Sequence, residues 1–187
     1  PSCVSFPDAP PATAAPAIDG DRFVMRDGAR LAFDVWRADE TNAVVIALHG
    51  MNDYANAFAG AAAWWAENAG VTTYAYDQRG FGRSPQFGRW VGEETLKADL
   101  VAVIHGVRAA HLGTPVFILG HSMGAAVILN AAADQVLDVD GVILASPAVW
   151  GGSQLPIPYR IAVNVAATFA PGKTLTGERA QRQSTDN

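Results

Sequence analysis

Residues 120–124 form the clearest chemical pattern in this chain. They are, in order, Gly120, His121, Ser122, Met123 and Gly124, a G-x-S-x-G pattern. An apolar run precedes them and an alanine-rich segment follows, which is the strand–turn–helix context that exposes a serine hydroxyl as a nucleophile. We expect Ser122 to attack a carbonyl and the Met123 amide to donate to the developing oxyanion. The alternative is an ordinary strand–helix turn with a capping serine.

The loop at residues 49–51 supplies a second candidate feature. His49, Gly50 and Met51 follow the apolar run of residues 43–48. Acyl transfer needs a second donor aimed at the same oxygen, and a loop of this kind provides it. We expect that donor to be the Met51 amide, with Gly50 letting the backbone approach the substrate. His49 precedes Ser122 in the chain, so we expect it to order the loop rather than act as the base.

Supporting roles are expected for the residues around the serine. A nucleophile turn needs backbone angles that suit few residues, and its flanks pass close to a neighbouring strand and helix. Larger side chains at Gly120 or Gly124 would clash there. His121 lies in the turn itself and is also assigned a supporting role.

Alternating strands and helices position these groups. Strands are predicted over residues 23–25, 31–36, 43–48, 71–76, 116–119 and 141–146, and helices over 54–69, 93–110 and from the serine turn to about 136. The first two strands flank a hairpin signal at residues 26–29. The rest predict an α/β fold with a mainly parallel, doubly wound sheet. The loops after parallel strands then meet along one edge of the sheet.

Three motifs in order resemble one known superfamily. They are Leu-His-Gly at 48–50, Tyr-Asp-Gln-Arg-Gly-Phe-Gly-Arg-Ser at 76–84, and Gly-His-Ser-Met-Gly at 120–124. Residues 22–150 resemble the α/β-hydrolases, in particular the monoacylglycerol lipase and lysophospholipase-like branch of serine aminopeptidase-type hydrolases. The resemblance implies a serine esterase or lipase with two oxyanion-hole amides, a Ser-His-Asp triad, a cap after the 141–146 strand and no cofactor. No metal ligand is assigned, and Asp77 and Arg79 are expected to brace their loop.

The candidate base and acid of the triad are not found among these residues. The histidines are at positions 49, 105, 111 and 121, so none follows Ser122. The later carboxylates, none of which has the position of a triad acid, are Asp134, Asp138, Asp140, Glu178 and Asp186. We expect residues 1–21 to be a Pro/Ala-rich linker, 22–149 the N-terminal part of the hydrolase core, and 150–187 the start of a truncated cap.

Composition limits the partners. The net charge of −5 disfavours nucleic acid, because phosphate binding needs clustered Lys and Arg. No apolar run approaches the roughly 18 residues of a membrane span. The single cysteine, Cys3, precedes a Pro/Ala-rich stretch and resembles the lipidated start of a bacterial lipoprotein; an ordinary residue in a disordered leader is the alternative. The protein is accordingly expected in the cytoplasm, or in the cell envelope if Cys3 is lipidated. The sequence does not indicate an oligomeric state.

The function expected from these residues is hydrolysis of an acyl ester. The substrate would be a small-molecule or lipid ester, either a monoacylglycerol or lysophospholipid or another carboxylester. The apolar segment at 150–171 suits a lipophilic acyl chain or a contact with a membrane surface. Because a fold does not fix a substrate, an aminopeptidase or a haloperoxidase-like activity remains open. A catalytically inactive binding domain is the alternative outside enzymes.

Overall fold

The computed structural model describes residues 8–149 together with residues 157, 158, 161 and 165. The strands are β1 (Ala17–Asp19), β2 (Arg22–Val24), β3 (Arg30–Trp36), β4 (Ala43–Leu48), β5 (Val71–Tyr76), β6 (Val116–His121) and β7 (Gly141–Ala145). The helices are α1 (Ala59–Ala69), α2 (Glu93–Ala110) and α3 (Met123–Asp134), and a short 3₁₀ helix (Ala55–Phe58) precedes α1. In the part of the chain described here, no helix is both long enough and apolar enough to span a membrane.

One seven-stranded sheet runs in the order β1-β2-β3-β5-β4-β6-β7. Strands β5, β4, β6 and β7 are parallel, whereas β1, β2 and β3 form an antiparallel extension that joins at β5. The predicted mainly parallel sheet is therefore confirmed, and so is the hairpin between β2 and β3. The carboxyl ends of β4 and β6 are neighbours, since Leu48 is paired with Gly120.

The alternation of β4 shows why the sheet is covered on both faces. Val44, Ile46 and Leu48 belong to the core beneath α2 and α3. Val45 and Ala47 point to the other face and pack with the 3₁₀ helix and α1. A continuous apolar run is typical of a parallel strand that is buried on both sides. The predicted apolar face of α2 is also buried, and its members are Leu96, Leu100, Val103, Ile104 and Val107.

Two expectations about local structure need correction. The linker expected over residues 1–21 contains the strand β1, which pairs with β2 and packs Ile18 against the main core. Three residues are too few to show an alternating pattern in the sequence, so this strand forms because of its tertiary packing. The predicted 54–69 helix begins as the separate 3₁₀ helix, and only Ala59–Ala69 is α-helical.

A second compact unit begins at Val149. Within it, residues 157, 158, 161 and 165 are helical, in the segment predicted to start a cap. Most of the cap assigned to residues 150–187 lies outside the described residues, as does Cys3.

Candidate active site

Ser122 occupies a strained turn between β6 and α3. Its backbone has φ 51° and ψ −111°, a positive φ that residues with a side chain rarely adopt. The Ser122 amide donates to the Ala145 carbonyl at 2.9 Å, and the Ser122 carbonyl accepts from Ala148 at 3.1 Å. These bonds to the end of β7 and the residues after it hold the serine in a conformation that would otherwise cost roughly 1–3 kcal/mol.

Two glycines allow this turn to fit against its neighbours. A Cβ at Gly120 would lie 2.5 Å from the Ala125 amide nitrogen, inside the first turn of α3. A Cβ at Gly124 would overlap the Leu48 carbonyl oxygen at the end of β4. Both obstacles are backbone, which cannot rotate away as a flexible side chain could. The turn therefore requires glycine on each side of Ser122.

The loop after β4 lies directly against the serine. A Cβ at Gly50 would be 3.4 Å from the Ser122 Cβ and 3.2 Å from the His121 Nδ1. The structure thus brings together the two loops that the sequence singled out. It leaves only a narrow gap between them, which a larger residue at position 50 would fill.

The amides of Met51 and Met123 are both available as donors. Met123 is the first residue of α3, where amides have no intrahelical acceptor. Within residues 8–149, neither the Met51 nor the Met123 amide donates a hydrogen bond to another residue. Met51 itself is 55% exposed.

His49 is buried and is engaged on both sides of its ring. Nδ1 lies 2.7 Å from the Gly50 carbonyl oxygen, and Nε2 accepts the Gln78 amide at 2.9 Å. The Gln78 side chain also donates to the His49 carbonyl at 2.8 Å. Burial lowers the pKa of His49. The contact with Gln78 could not be read from the sequence, because the two residues are far apart in the chain and share no local pattern.

The loop at residues 77–84 is held by Asp77 at its start. Asp77 Oδ1 accepts from the Ala55 amide at 2.8 Å, and Oδ2 accepts from the Arg83 amide and guanidinium, each at 2.8 Å. The pKa of Asp77 is lowered: its burial acts against the ionised form, and the bonds from Arg83 and Ala55 outweigh it. Ser84 closes the loop by donating to the Asp77 carbonyl at 2.5 Å and accepting from the Ala32 amide at 3.0 Å.

Arg79 also holds the loop at residues 77–84, through ion pairs with two carboxylates. Its guanidinium donates to Asp27 and Asp99, and each carboxylate accepts through both of its oxygens. Arg79 and Asp99 have side chains that are about 5% and 4% exposed. One positive charge is shared by two carboxylates, so the cluster carries an excess negative charge. Asp99 is the more deeply buried of the two carboxylates. Its desolvation disfavours the ionised form and raises the pKa of Asp99 to about 6.

The remaining histidines do not bond the serine hydroxyl. Across residues 8–149, the Ser122 hydroxyl makes no hydrogen bond to any side chain, the histidine rings included. His111 bonds the Tyr74 hydroxyl at 3.0 Å, and His105 is exposed on α2. His121 is exposed in the turn, with its Nδ1 beside Gly50.

The carboxylates after Ser122 that the structure describes have other partners. Asp134 pairs with Lys97, and Asp138 and Asp140 face Arg108. Asp140 also accepts from the amide of Val116, the first residue of β6, and therefore lies at the opposite edge of the sheet. Glu178 and Asp186 lie outside the described residues. The described part of the chain contains no group of three or more His, Cys, Asp or Glu side chains that could hold a metal ion.

Comparison with known proteins identifies the family. The model of the family described as "Serine aminopeptidase, S33" matches residues 39–187. The chain belongs to the serine aminopeptidase S33 family. Proteins similar to this chain include a monoacylglycerol lipase of Mycolicibacterium smegmatis, 30% identical over 78% of this chain and 52% of the relative. A monoglyceride lipase of Rattus norvegicus is 29% identical over 72% of this chain and 45% of the relative.

Solved structures agree on the fold. A soluble variant of monoglyceride lipase from Saccharomyces cerevisiae, in complex with a substrate analogue, is 26% identical over 85% of this chain and 54% of its own, with a TM-score of 0.62. A monoacylglycerol lipase of Paleococcus ferrophilus aligns with a TM-score of 0.60 and 22% identity, over 78% of this chain and 56% of its own. The α/β-hydrolase fold is thereby confirmed. This S33 chain spans about half the length of the relatives it matches.

Proposed function

We propose that the protein is a serine hydrolase of acyl esters, with Ser122 as its nucleophile. The observation that carries the proposal is the meeting of two loops: Gly50 lies against Ser122, and the amides of Met51 and Met123 have no other acceptor within residues 8–149. Two amides without an acceptor, close to a half-buried serine hydroxyl, are what an acyl-transfer site requires. The monoglyceride lipases among its relatives favour a monoacylglycerol or a related lipid ester as substrate.

The proposed reaction has two steps. Ser122 Oγ attacks the ester carbonyl carbon while a general base takes its proton, and the carbonyl oxygen becomes an oxyanion that accepts from Met51 and Met123. Collapse of this intermediate breaks the bond to the alcohol, which leaves with the proton, and an acyl-serine remains. Water then attacks the acyl-serine by the same route and releases the acid. The chain spans about half the length of its relatives, and we propose that the base and its acid partner belong to the part of the fold that these residues do not cover.

The proposed acyl-binding region begins in the second unit. Ile157, Ile161 and Val165 recur at four-residue spacing on a helical segment, and all three are more than half exposed. Residues at this spacing lie on one face of a helix. We propose that these three side chains belong to the start of a cap that favours a lipophilic acyl chain or a membrane surface. Activity on esters of increasing acyl length would test this, since a cap of this kind should favour long chains.

Covalent labelling tests the nucleophile directly. The full-length protein should react with a fluorophosphonate probe and hydrolyse a monoacylglycerol, and Ser122→Ala should abolish both. By comparison with other serine hydrolases, the loss in kcat is about a millionfold. Ser153→Ala, at another serine of the chain, is the matched control and should label normally. No labelling of the folded full-length protein would reject the proposal and favour a binding domain.

The family description supports one alternative within enzymes. Because the matching family is described as a serine aminopeptidase, the same nucleophile could act on an amide bond. Esters and aminoacyl amides with the same acyl group should be compared by kcat/KM. Faster turnover of the amide would replace the ester assignment and leave Ser122 as the nucleophile.

A further inference from the structure

The tautomer of His49 follows from its two hydrogen bonds. A backbone amide can only donate, so Nε2, which lies 2.9 Å from the Gln78 amide, must be the unprotonated acceptor. The proton of the neutral ring is then on Nδ1, which donates to the Gly50 carbonyl at 2.7 Å. Gln78 therefore selects the Nδ1–H form of His49.

The hydrogen bond from His49 to the Gly50 carbonyl also orients the Met51 amide, which is the proposed oxyanion donor. The carbonyl of Gly50 and the amide of Met51 belong to the same peptide group, which is planar and trans. In a trans peptide the C=O and the N–H point in opposite directions. Fixing the Gly50 carbonyl toward the buried His49 ring therefore fixes the Met51 N–H away from it. The Asp53 amide, 3.3 Å from the same carbonyl, adds a second and weaker constraint.

The partner of His49 is itself buried in the core of the loop. Gln78 is 1% exposed and lies between Asp77 and Arg79, the two residues that bind the loop to the rest of the fold. Its side chain donates to the His49 carbonyl at 2.8 Å, so Gln78 holds the His49 backbone as well as the ring. The His49 and Phe81 rings pack at an angle of 73°, with their centroids 5.5 Å apart.

We infer that His49, held in its Nδ1–H tautomer by Gln78, is a positioning residue that aims the Met51 amide at the reacting oxygen. This rests on the function proposed above. It assigns to a buried histidine a role in the transition state without any contact with the substrate. At neutral pH the ring is neutral, because burial lowers the pKa of His49 more than the Gly50 carbonyl and the nearby carboxylates of Asp77 and Asp53 raise it.

Two substitutions of His49 by an amide residue distinguish the role of Nδ1 from that of Nε2. In His49→Asn the side-chain amide occupies the position of Nδ1 and can still donate to Gly50. In His49→Gln the amide occupies the position of Nε2 and leaves the Gly50 carbonyl without its donor. Losing an oxyanion donor costs about 10²–10³ in kcat. We expect His49→Gln to lower kcat by about 10²-fold with KM changed by less than about threefold, and His49→Asn to stay within about tenfold of the unaltered enzyme.

The controls separate positioning from folding and from the proposed function itself. His105→Asn, at an exposed histidine on α2, should change neither parameter. Equal losses in folded His49→Asn and His49→Gln, or no loss in either, would overturn the inference. If Ser122→Ala also retains full activity, the proposed function fails as well. If Ser122→Ala is inactive, only the role of His49 is wrong.

A spectroscopic measurement on the unaltered protein needs no variant to fold. Nitrogen-15 NMR of labelled histidine should show a neutral His49 with its proton on Nδ1. A proton on Nε2, or a cationic ring at neutral pH, would contradict the hydrogen-bond pattern on which the inference depends.

Discussion

Gly124 provides the sharpest test of the packing between the turn at Ser122 and the end of β4. It is the second residue of α3, and Gly60 is the second residue of α1. An added Cβ at Gly60 would meet nothing within 4 Å, whereas at Gly124 it would overlap the Leu48 carbonyl, one residue before His49. Gly124→Ala and Gly60→Ala thus make the same chemical change at the same helical position.

The expected magnitudes differ in sign. Replacing a helical glycine by alanine gains about 0.5–1 kcal/mol, and this is the whole effect at Gly60. Forcing an extra carbon into a packed site costs about 1–3 kcal/mol, and the upper end applies at Gly124 because the obstacle is strand backbone. We expect a net loss of about 2 kcal/mol for Gly124→Ala. For a protein of 150–250 residues this is a fall in Tm of about 4–8 °C, against a rise of about 1–4 °C for Gly60→Ala.

The assay combines thermal unfolding with steady-state kinetics of ester hydrolysis by the full-length protein. Because the end of β4 must shift to accept the new carbon, Gly124→Ala should also lower kcat, and Gly60→Ala should not. If Gly124→Ala is as stable and as active as Gly60→Ala, the close contact between α3 and β4 does not constrain the site, and this reasoning is wrong.

The Arg79 cluster carries two further predictions. Arg79→Met leaves the buried Asp99 and the half-buried Asp27 without their counter-ion and should cost about 3–5 kcal/mol in urea unfolding. Arg30→Met, which removes a pair at least half exposed on both sides, should cost less than about 1 kcal/mol, and equal costs would contradict this account. The folded pKa of Asp99 is raised from 3.8 to about 6, so the stability that this group contributes is complete below pH 3.8 and is lost as the pH rises through about 6. The free energy of unfolding of Asp99→Asn, relative to that of the unaltered protein, should therefore rise by up to about 3 kcal/mol between pH 4 and pH 7. If this difference does not change with pH, Arg79 neutralises both carboxylates and the prediction is wrong.

Much of the fold was accessible from the sequence because its signals are local. The uninterrupted apolar run of β4 and the periodic face of α2 each predict an element without reference to the rest of the chain. The G-x-S-x-G pattern likewise predicts a strand–turn–helix around Ser122, as the structure has it. The roles of Ser122, Met51 and Met123 in catalysis remain predictions.

What the sequence did not predict depends on contacts between distant residues. Strand β1 is too short to have a period and forms because Ile18 finds a place on the core. The hydrogen bonds between His49 and Gln78 join two loops that follow different strands. Neither residue type has a preference for the other that could be recognised in the sequence. The sharing of Arg79 by Asp27 and Asp99 is equally non-local, although the sequence did indicate that Arg79 braces its loop.

The pairing of β4 with β6 has a consequence for how the protein matures. The chain between these strands forms α1, β5 and α2, so the two halves of the proposed site meet only when this long-range pairing is complete. Non-local pairings of this kind form late and cooperatively. A nascent or misfolded chain would therefore lack the proposed Met51 donor beside Ser122 and would not carry out the proposed reaction. The fraction of molecules that react with a fluorophosphonate would then equal the fraction in which β4 and β6 are paired. Labelling of Ser122 could therefore be used to follow folding in the cell.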